Sequence, residues 1–242
     1  MDINVKKFLK IIANSKNIVF FGGAGVSTES GIKDFRSKDG LYNQKYDYPP
    51  ETILSHSFFM NNTKEFFKFY REKLNCLDAL PNITHKKIAE LESQGKLKAV
   101  ITQNIDGLHQ KAGSKNVLEL HGSVMRNYCM NCGRSHTAEY IFNETIGIPR
   151  CQRKRCDGIV KPDVVLYEEM LNDEVVSKAV EAISNADTLI IAGTSLTVYP
   201  ASGLINYFRG DNLILINKNS TPMDNRVDLV INLSLGVVFL QL

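Results

Sequence analysis

A chain of 242 residues with 43% hydrophobic content can bury a full core, and it sits near the upper end of one domain or a domain with a small insert. No stretch approaches the roughly 18 consecutive apolar residues of a membrane span, which excludes a helical membrane protein. A net charge of +3, with acidic residues scattered among the basic ones, gives no electrostatic footprint for direct nucleic-acid binding.

The first fifteen residues read as an amphipathic helix, with Val5, Phe8, Leu9 and Ile12 on one face and lysines between them. A signal peptide would carry a continuous apolar run instead, so a soluble cytoplasmic protein is expected. Short apolar runs then recur before glycine or polar turns, at residues 18–21, 99–101, 188–192, 213–216 and 229–231. Their unbroken apolar character predicts strands buried on both faces, and helical patterns at residues 83–91 and 175–183 separate several of them. That alternation predicts an α/β fold, a Rossmann-like parallel sheet wound with helices. Two stretches interrupt it: aromatic-rich helical text at residues 37–82, and four clustered cysteines at residues 127–159.

The first run leads into Gly22-Gly23-Ala24-Gly25-Val26-Ser27-Thr28. Glycine there lets backbone amides approach phosphates at a helix start, so a dinucleotide fits, although Thr28 stands where the third glycine of the dinucleotide fingerprint would be. A glycine-rich turn capped by Ser27 or Thr28 is the plainer alternative. Asp34-Phe35-Arg36 follows, a guanidinium beside a ring that offers a phosphate contact and a stacking lid, or simply a surface charge pair.

The second run ends in Thr102-Gln103-Asn104-Ile105-Asp106-Gly107-Leu108-His109, an amide and a carboxylate placed where open α/β sheets bind ligands. A polar turn would use the same residue types. Downstream, His121 stands at the end of an apolar run with no serine or cysteine nucleophile motif beside it. It is either a general base or a satisfied half-buried imidazole. Gly193-Thr194-Ser195 and Asn217-Lys218 follow later strands, and their small polar groups suit ribose and phosphate contacts or ordinary turns.

Cys129-x2-Cys132 and Cys151-x4-Cys156 match the ligand count and loop size of a structural zinc ribbon, and four thiolates leave no open position for catalysis at the metal. The basic residues Arg150, Arg153, Lys154 and Arg155 read as charge compensation, with nucleic-acid contact as the alternative. Cys76 stands alone on a helical stretch and reads as a small core residue.

Together these motifs resemble the sirtuin family of NAD-dependent protein deacylases over nearly the whole chain. The matching text is GAGVSTESGIKDFR at residues 23–36, TQNIDGLH at residues 102–109, HG at residues 121–122, the four cysteines, KPDVVLYEE at residues 161–169, GTSLTVYPA at residues 193–201 and IN at residues 216–217. The resemblance implies a dinucleotide-binding domain over residues 1–36, 97–126 and 160–242, a helical module over 37–96 and a zinc-ribbon module over 127–159. NAD and an acyl-lysine protein or peptide would meet in the cleft between them.

In that reading Ile105 and Asp106 hold the nicotinamide carboxamide, and Gly23, Ala24, Gly25, Thr28, Arg36 and Gln103 line the rest of the dinucleotide. Phe35 shields the reacting centre. Asn104 orders the ribose or a nearby water, Ser195 and Asn217 take the adenosine end, and Gly193, Thr194 and Lys218 are further cofactor contacts. The stretch around Val164 pairs with substrate backbone as an added strand. The implied reaction expels nicotinamide, lets the acyl oxygen capture the ribose carbon, and uses His121 as base on a ribose hydroxyl. Its products are free lysine, nicotinamide and O-acyl-ADP-ribose. The alternatives are ADP-ribosyl transfer to a protein and a zinc-ribbon nucleic-acid or scaffold module without activity. Three positions depart from the family's usual text: Lys33 stands for proline, Lys161 for arginine and Glu168 for glycine. Tyr70 is followed at the Tyr-x-x-Arg spacing by Lys73, which favours deacetylation over desuccinylation.

Overall fold

The apolar runs that end in glycine or polar turns become neighbouring strands of one parallel sheet. The computed structural model describes residues 2–34, 40, 46, 48–143 and 147–242. Its larger sheet contains β1 (Ile18–Gly22), β2 (Leu97–Thr102), β3 (Val117–Glu119), β7 (Thr188–Ala192), β8 (Asn212–Ile216) and β9 (Leu229–Ile231). Their spatial order is β3-β2-β1-β7-β8-β9, and every adjacent pair is parallel. The chain therefore winds outward from β1 in one direction and then returns to its other side, which makes the β1/β7 junction the switch point where such sheets bind ligands.

Alternate residues of each strand serve opposite faces. Ile18 and Phe20 point into a core with Phe8 and Ile12 of α1 (Ile3–Asn14), Ile88 of α5 (Ile83–Ser93) and Phe239 of α9 (Leu235–Phe239). Val19 and Phe21 point into a second core with Ala179 and Ile183 of α8 (Asp173–Ser184) and with Leu204 and Ile205. Burial on both faces is what the continuous apolar runs encode. The first helix begins where Asp2 accepts hydrogen bonds from the amides of Asn4 (2.7 Å) and Val5 (3.2 Å), as an N-cap should.

A second sheet of three strands has the order β5-β4-β6, formed by β4 (Gly122–Cys129), β5 (Ser135–His136) and β6 (Val160–Val164), with both pairings antiparallel. Against it lie the short helices α2 (Pro50–Ile53) and α3 (His56–Asn61), then α4 (Thr63–Leu74) and α7 (Ala138–Asn143). Phe58, Phe59, Phe66, Phe67 and Tyr70 share one core with Val124, Val160 and Val164, so the aromatic helices and the cysteine-bearing segment are a single packed body. Arg71 fastens the two, donating to the carbonyls of Ile141 (2.8 Å) and Gly147 (2.9 Å). Tyr70 is fully buried and stacked on Phe66 and Phe142, and Lys73 is paired with Glu72. Pro162 lies on β6, an edge strand, where a missing N–H is tolerated.

One expectation fails. The glycine-rich turn does not open an α-helix; it continues as two short 3₁₀ turns, Ala24–Val26 and Thr28–Ser30. Ser27 precedes the second 3₁₀ turn but its side chain caps nothing, and no α-helix dipole is available to a phosphate there. The Gly25 amide donates instead across the sheet to the Gly193 carbonyl, and the Val26 amide closes a 3₁₀ turn onto Gly23.

Candidate active site

Four strand ends converge on the switch point. A side chain on Gly23 would place its Cβ 2.7 Å from that of Thr194, and one on Gly25 would meet Gly193 Cα at 2.7 Å. The Gly25 amide donates to the Gly193 carbonyl at 2.8 Å, and the Gly23 amide to that of Ala192 at 3.1 Å. These glycines thus fit two loop backbones against each other, a use that phosphate approach alone does not explain. Across the same junction Gln103 Nε2 donates to Thr194 Oγ1 at 3.2 Å. Thr28 turns its hydroxyl onto the Gly25 carbonyl (3.0 Å), Ser195 and Thr197 share a hydroxyl contact (2.8 Å), and Asn217 Nδ2 donates to the Asn219 carbonyl (2.9 Å). Lys218 follows Asn217 beyond the end of β8. Phe35 and Arg36 lie outside the described residues.

Next to the turn sits a polar relay. Asn104 Nδ2 donates to Ser27 Oγ at 3.0 Å, and Ser27 in turn donates to Asp106 Oδ2 at 2.6 Å. The other Asp106 oxygen accepts the Leu108 amide at 2.9 Å. Burial pushes the Asp106 carboxyl up, while the Ser27 and Leu108 hydrogen bonds pull it back. Ser27 was visible in the sequence only as a possible cap; that it joins β1's loop to β2's loop is a tertiary fact with no local signal.

His121 stands between β3 and β4, and its Nδ1 lies 2.9 Å from the Gln103 carbonyl oxygen. Burial lowers its pKa below the ordinary imidazole value, and the Gln103 contact opposes that shift. Only glycine fits after it: Gly122 has φ 72°, and a Cβ there would lie against the Asp163 carbonyl. The backbone of Ile105 closes the other side, its carbonyl accepting the Val124 amide at 2.9 Å.

Beyond β6 the chain forms a braced loop. Glu169 accepts hydrogen bonds from His56 Nδ1 (2.9 Å), the Leu166 amide (2.9 Å) and Lys161 Nζ (3.2 Å); burial raises its pKa, but these contacts together hold it below the usual carboxylate value. Lys161 also donates to the Val164 carbonyl at 3.0 Å. Glu168 has φ 76°, a left-handed conformation that explains why glycine suits this position, and its carboxylate accepts the Ser57 amide (2.8 Å) and hydroxyl (2.9 Å). Among the described residues no strand pairs with the outer edge of β6.

Cys129, Cys132, Cys151 and Cys156 bring their sulfurs within 4.8 Å of one another, with the Cys129–Cys156 and Cys132–Cys151 pairs at 3.7 Å. Zinc–sulfur bonds of about 2.3 Å in a tetrahedron require sulfurs roughly 3.8 Å apart, so the donor set fits one zinc ion, whereas a disulfide would need about 2.05 Å. Gly158 makes room, since a Cβ there would lie 2.5 Å from Cys129 Sγ. His136 is not one of the clustered ligands and packs on Tyr140. Cys76 is partly buried beside the aromatic core, and burial raises its pKa to about 12, which suits a core thiol and not a nucleophile.

A parallel sheet with its switch point lined by amides and a carboxylate, a half-covered histidine and a four-thiolate knot defines a nucleotide-using enzyme with a structural metal module. The profile of the Sir2 family matches residues 23–200. The chain is 61% identical over 236 residues to an NAD-dependent protein deacetylase of Clostridium acetobutylicum, covering 97% of this chain and 96% of that one. It is 61% identical over 241 residues to another of that name from Clostridium perfringens, covering 98% of each. Among solved structures, a Sir2 complex with a p53 peptide and NAD+ superimposes with a TM-score of 0.87 at 36% identity, over 100% of this chain and 97% of that one. A Sir2 complex with an inhibitor, 2'-O-acetyl-ADP-ribose and a deacetylated p53 peptide gives 0.84 at 35% identity, over 98% and 96%. The chain belongs to the Sir2 family.

Proposed function

We propose that this protein is an NAD-dependent protein-lysine deacylase, which moves the acyl group of a modified lysine onto ADP-ribose and releases nicotinamide. The observation that carries the reading is the His121 ring, held by the Gln103 carbonyl beside the Asn104–Ser27–Asp106 relay at the sheet's switch point. NAD supplies an activated ribose, so no enzyme nucleophile is needed. A carbonyl oxygen only accepts, so His121 Nδ1 carries the proton and Nε2 keeps the lone pair that takes a proton from a ribose hydroxyl. Asp106 and Ile105 hold the nicotinamide carboxamide, and Asn104 orders the ribose. Gly23, Ala24, Gly25, Thr28 and Gln103, with Phe35 and Arg36, line the dinucleotide, and Gly193, Thr194, Ser195, Asn217 and Lys218 take its adenosine end.

The acyl-lysine segment adds to the outer edge of β6 near Val164, where backbone groups supply affinity without demanding a sequence. Residues 1–36, 97–126 and 160–242 act as the dinucleotide domain, 37–96 as the helical module and 127–159 as the zinc ribbon, with β4 crossing the first junction of the last and β6 starting at the second. A cytoplasmic location suits four cysteines used as metal ligands, which a reducing compartment keeps as thiols. No helix of the described residues is long and apolar enough to cross a membrane.

Purified protein incubated with an acetyl-lysine peptide and NAD should give equal amounts of nicotinamide, deacetylated peptide and O-acetyl-ADP-ribose. ADP-ribosylated protein with the acetyl group left in place would reject this reading in favour of ADP-ribosyl transfer.

A further inference from the structure

Asn82 lies in the chain segment before α5, outside every motif the sequence singles out, yet its side chain uses all four of its hydrogen-bonding positions. Its Oδ1 accepts the amides of Thr84 (2.9 Å) and His85 (3.4 Å), which caps α5. Its Nδ2 donates to the Val26 carbonyl (2.8 Å) and to Ser30 Oγ (3.0 Å), both in the turn proposed to hold NAD. Val26 is 1% exposed and precedes Ser27, the residue that links Asn104 to Asp106.

We infer that Asn82 is a positioning residue for the NAD-binding turn: its carboxamide nitrogen fixes the two 3₁₀ turns from the start of α5 and, through Ser27, sets the placement of Asp106 and Asn104. The turn needs such a brace. It contains three glycines, its 3₁₀ segments are three residues each, and the loss of a fixed Val26 carbonyl would free the backbone on either side of Ser27. Because Asn82 also caps α5, whose Ile88 and Leu91 pack in the core of the larger sheet, the brace ties the turn to that sheet's own helix layer without touching the cofactor. This inference rests on the assignment of that turn to NAD.

The two halves of the carboxamide can be separated. Asn82→Asp keeps the cap acceptor and presents an oxygen to the Val26 carbonyl where a donor stood. Asn82→Ser keeps a capping hydroxyl that is too short to reach both turn partners. Each variant should retain the wild-type melting temperature within a few degrees. Each should bind NAD about tenfold more weakly by calorimetry, as expected for two lost hydrogen bonds. The KM for NAD should rise in step while that for the acetyl peptide stays constant. Without NAD, amide hydrogen exchange over residues 23–31 should quicken about tenfold in both.

Wild-type NAD affinity in both variants would overturn the inference. So would weakened binding confined to the Asp variant, which would mean that the new negative charge, and not the missing donor, is responsible. A wild-type chain that binds no NAD at all would instead overturn the functional reading beneath it.

Discussion

His121 Nδ1 lies 2.9 Å from the carbonyl oxygen of Gln103, and Gln103 itself reaches across to Thr194. One residue of β2's loop therefore orients the proposed base with its backbone and ties the two halves of the sheet with its side chain. Burial lowers the His121 pKa from 6.5, so the neutral, proton-accepting form persists below the pH at which a free imidazole would charge. The acid limb of kcat/KM should fall below pH 6.5. His121→Ala should lower turnover by roughly 10²–10⁴-fold, the range for loss of a general base, while calorimetry still registers NAD binding. Full NAD-dependent turnover in that variant would remove His121 from the mechanism.

The four-thiolate cluster joins the end of β4 to the loop before β6, and both strands line the core shared with the aromatic helices. Metal binding is then folding energy for the whole smaller body. Elemental analysis should find one zinc ion per chain. Stripping it with a strong chelator should lower the melting temperature and abolish deacylation, and returning zinc should restore both. A metal-free protein with unchanged melting behaviour would contradict a structural role.

Five of the six strands of the larger sheet are legible in the sequence as continuous apolar runs, and residues 188–192 and 229–231 have the same bounds in the structure; β3, short and only partly buried, gives no such run. The four cysteines were legible through spacing, and the structure brings them together. The turn after β1 looks like a helix start in the sequence because the competing bond, from the Gly25 amide to the Gly193 carbonyl, joins residues far apart in the chain. The same holds for Arg126, which pairs with Glu119 and Asp163 and so ties the strand before His121 to β6. Its place on a strand with a register shift between Ser123 and Asn127 hides it from any alternation pattern. Ser27 and Asn82 escaped for a related reason: short polar residues announce a turn or a cap, and only packing shows which backbone they hold.

Glu168 tests how a departure from family text is accommodated. Its left-handed backbone costs about 1 kcal/mol, and its carboxylate recovers part of that through Ser57. Glu168→Ala keeps the strain and loses the bonds; Glu168→Gly loses the bonds but relieves the strain. In urea unfolding the alanine variant should therefore be less stable than the glycine variant by about 1 kcal/mol. Equal midpoints would show that the backbone conformation at this position carries no cost.

His85 and His109 form a buried pair with ring centroids 4.8 Å apart, and both nitrogens of His109 lack a partner among the described residues. Burial lowers their pKa values to about 4 and about 3, and for His109 the neighbouring His85 adds to the shift. Both rings are thus neutral in the folded protein at pH 6, whereas the unfolded chain takes up protons below about 6.5. A base with a depressed folded pKa contributes stability that is present above its unfolded value and is lost as pH falls towards the folded one. Stability measured by urea should accordingly fall from pH 6.5 to pH 4, by on the order of 3 kcal/mol from His85 alone. The pair lies between α5, which Asn82 caps, and α6 (Leu108–Lys111), which follows Asp106, so acid should also loosen the site before the sheet unfolds. Imidazole NMR signals that titrate near pH 6.5 in the native protein would show the pair to be solvated, and the predicted loss of stability would vanish with it.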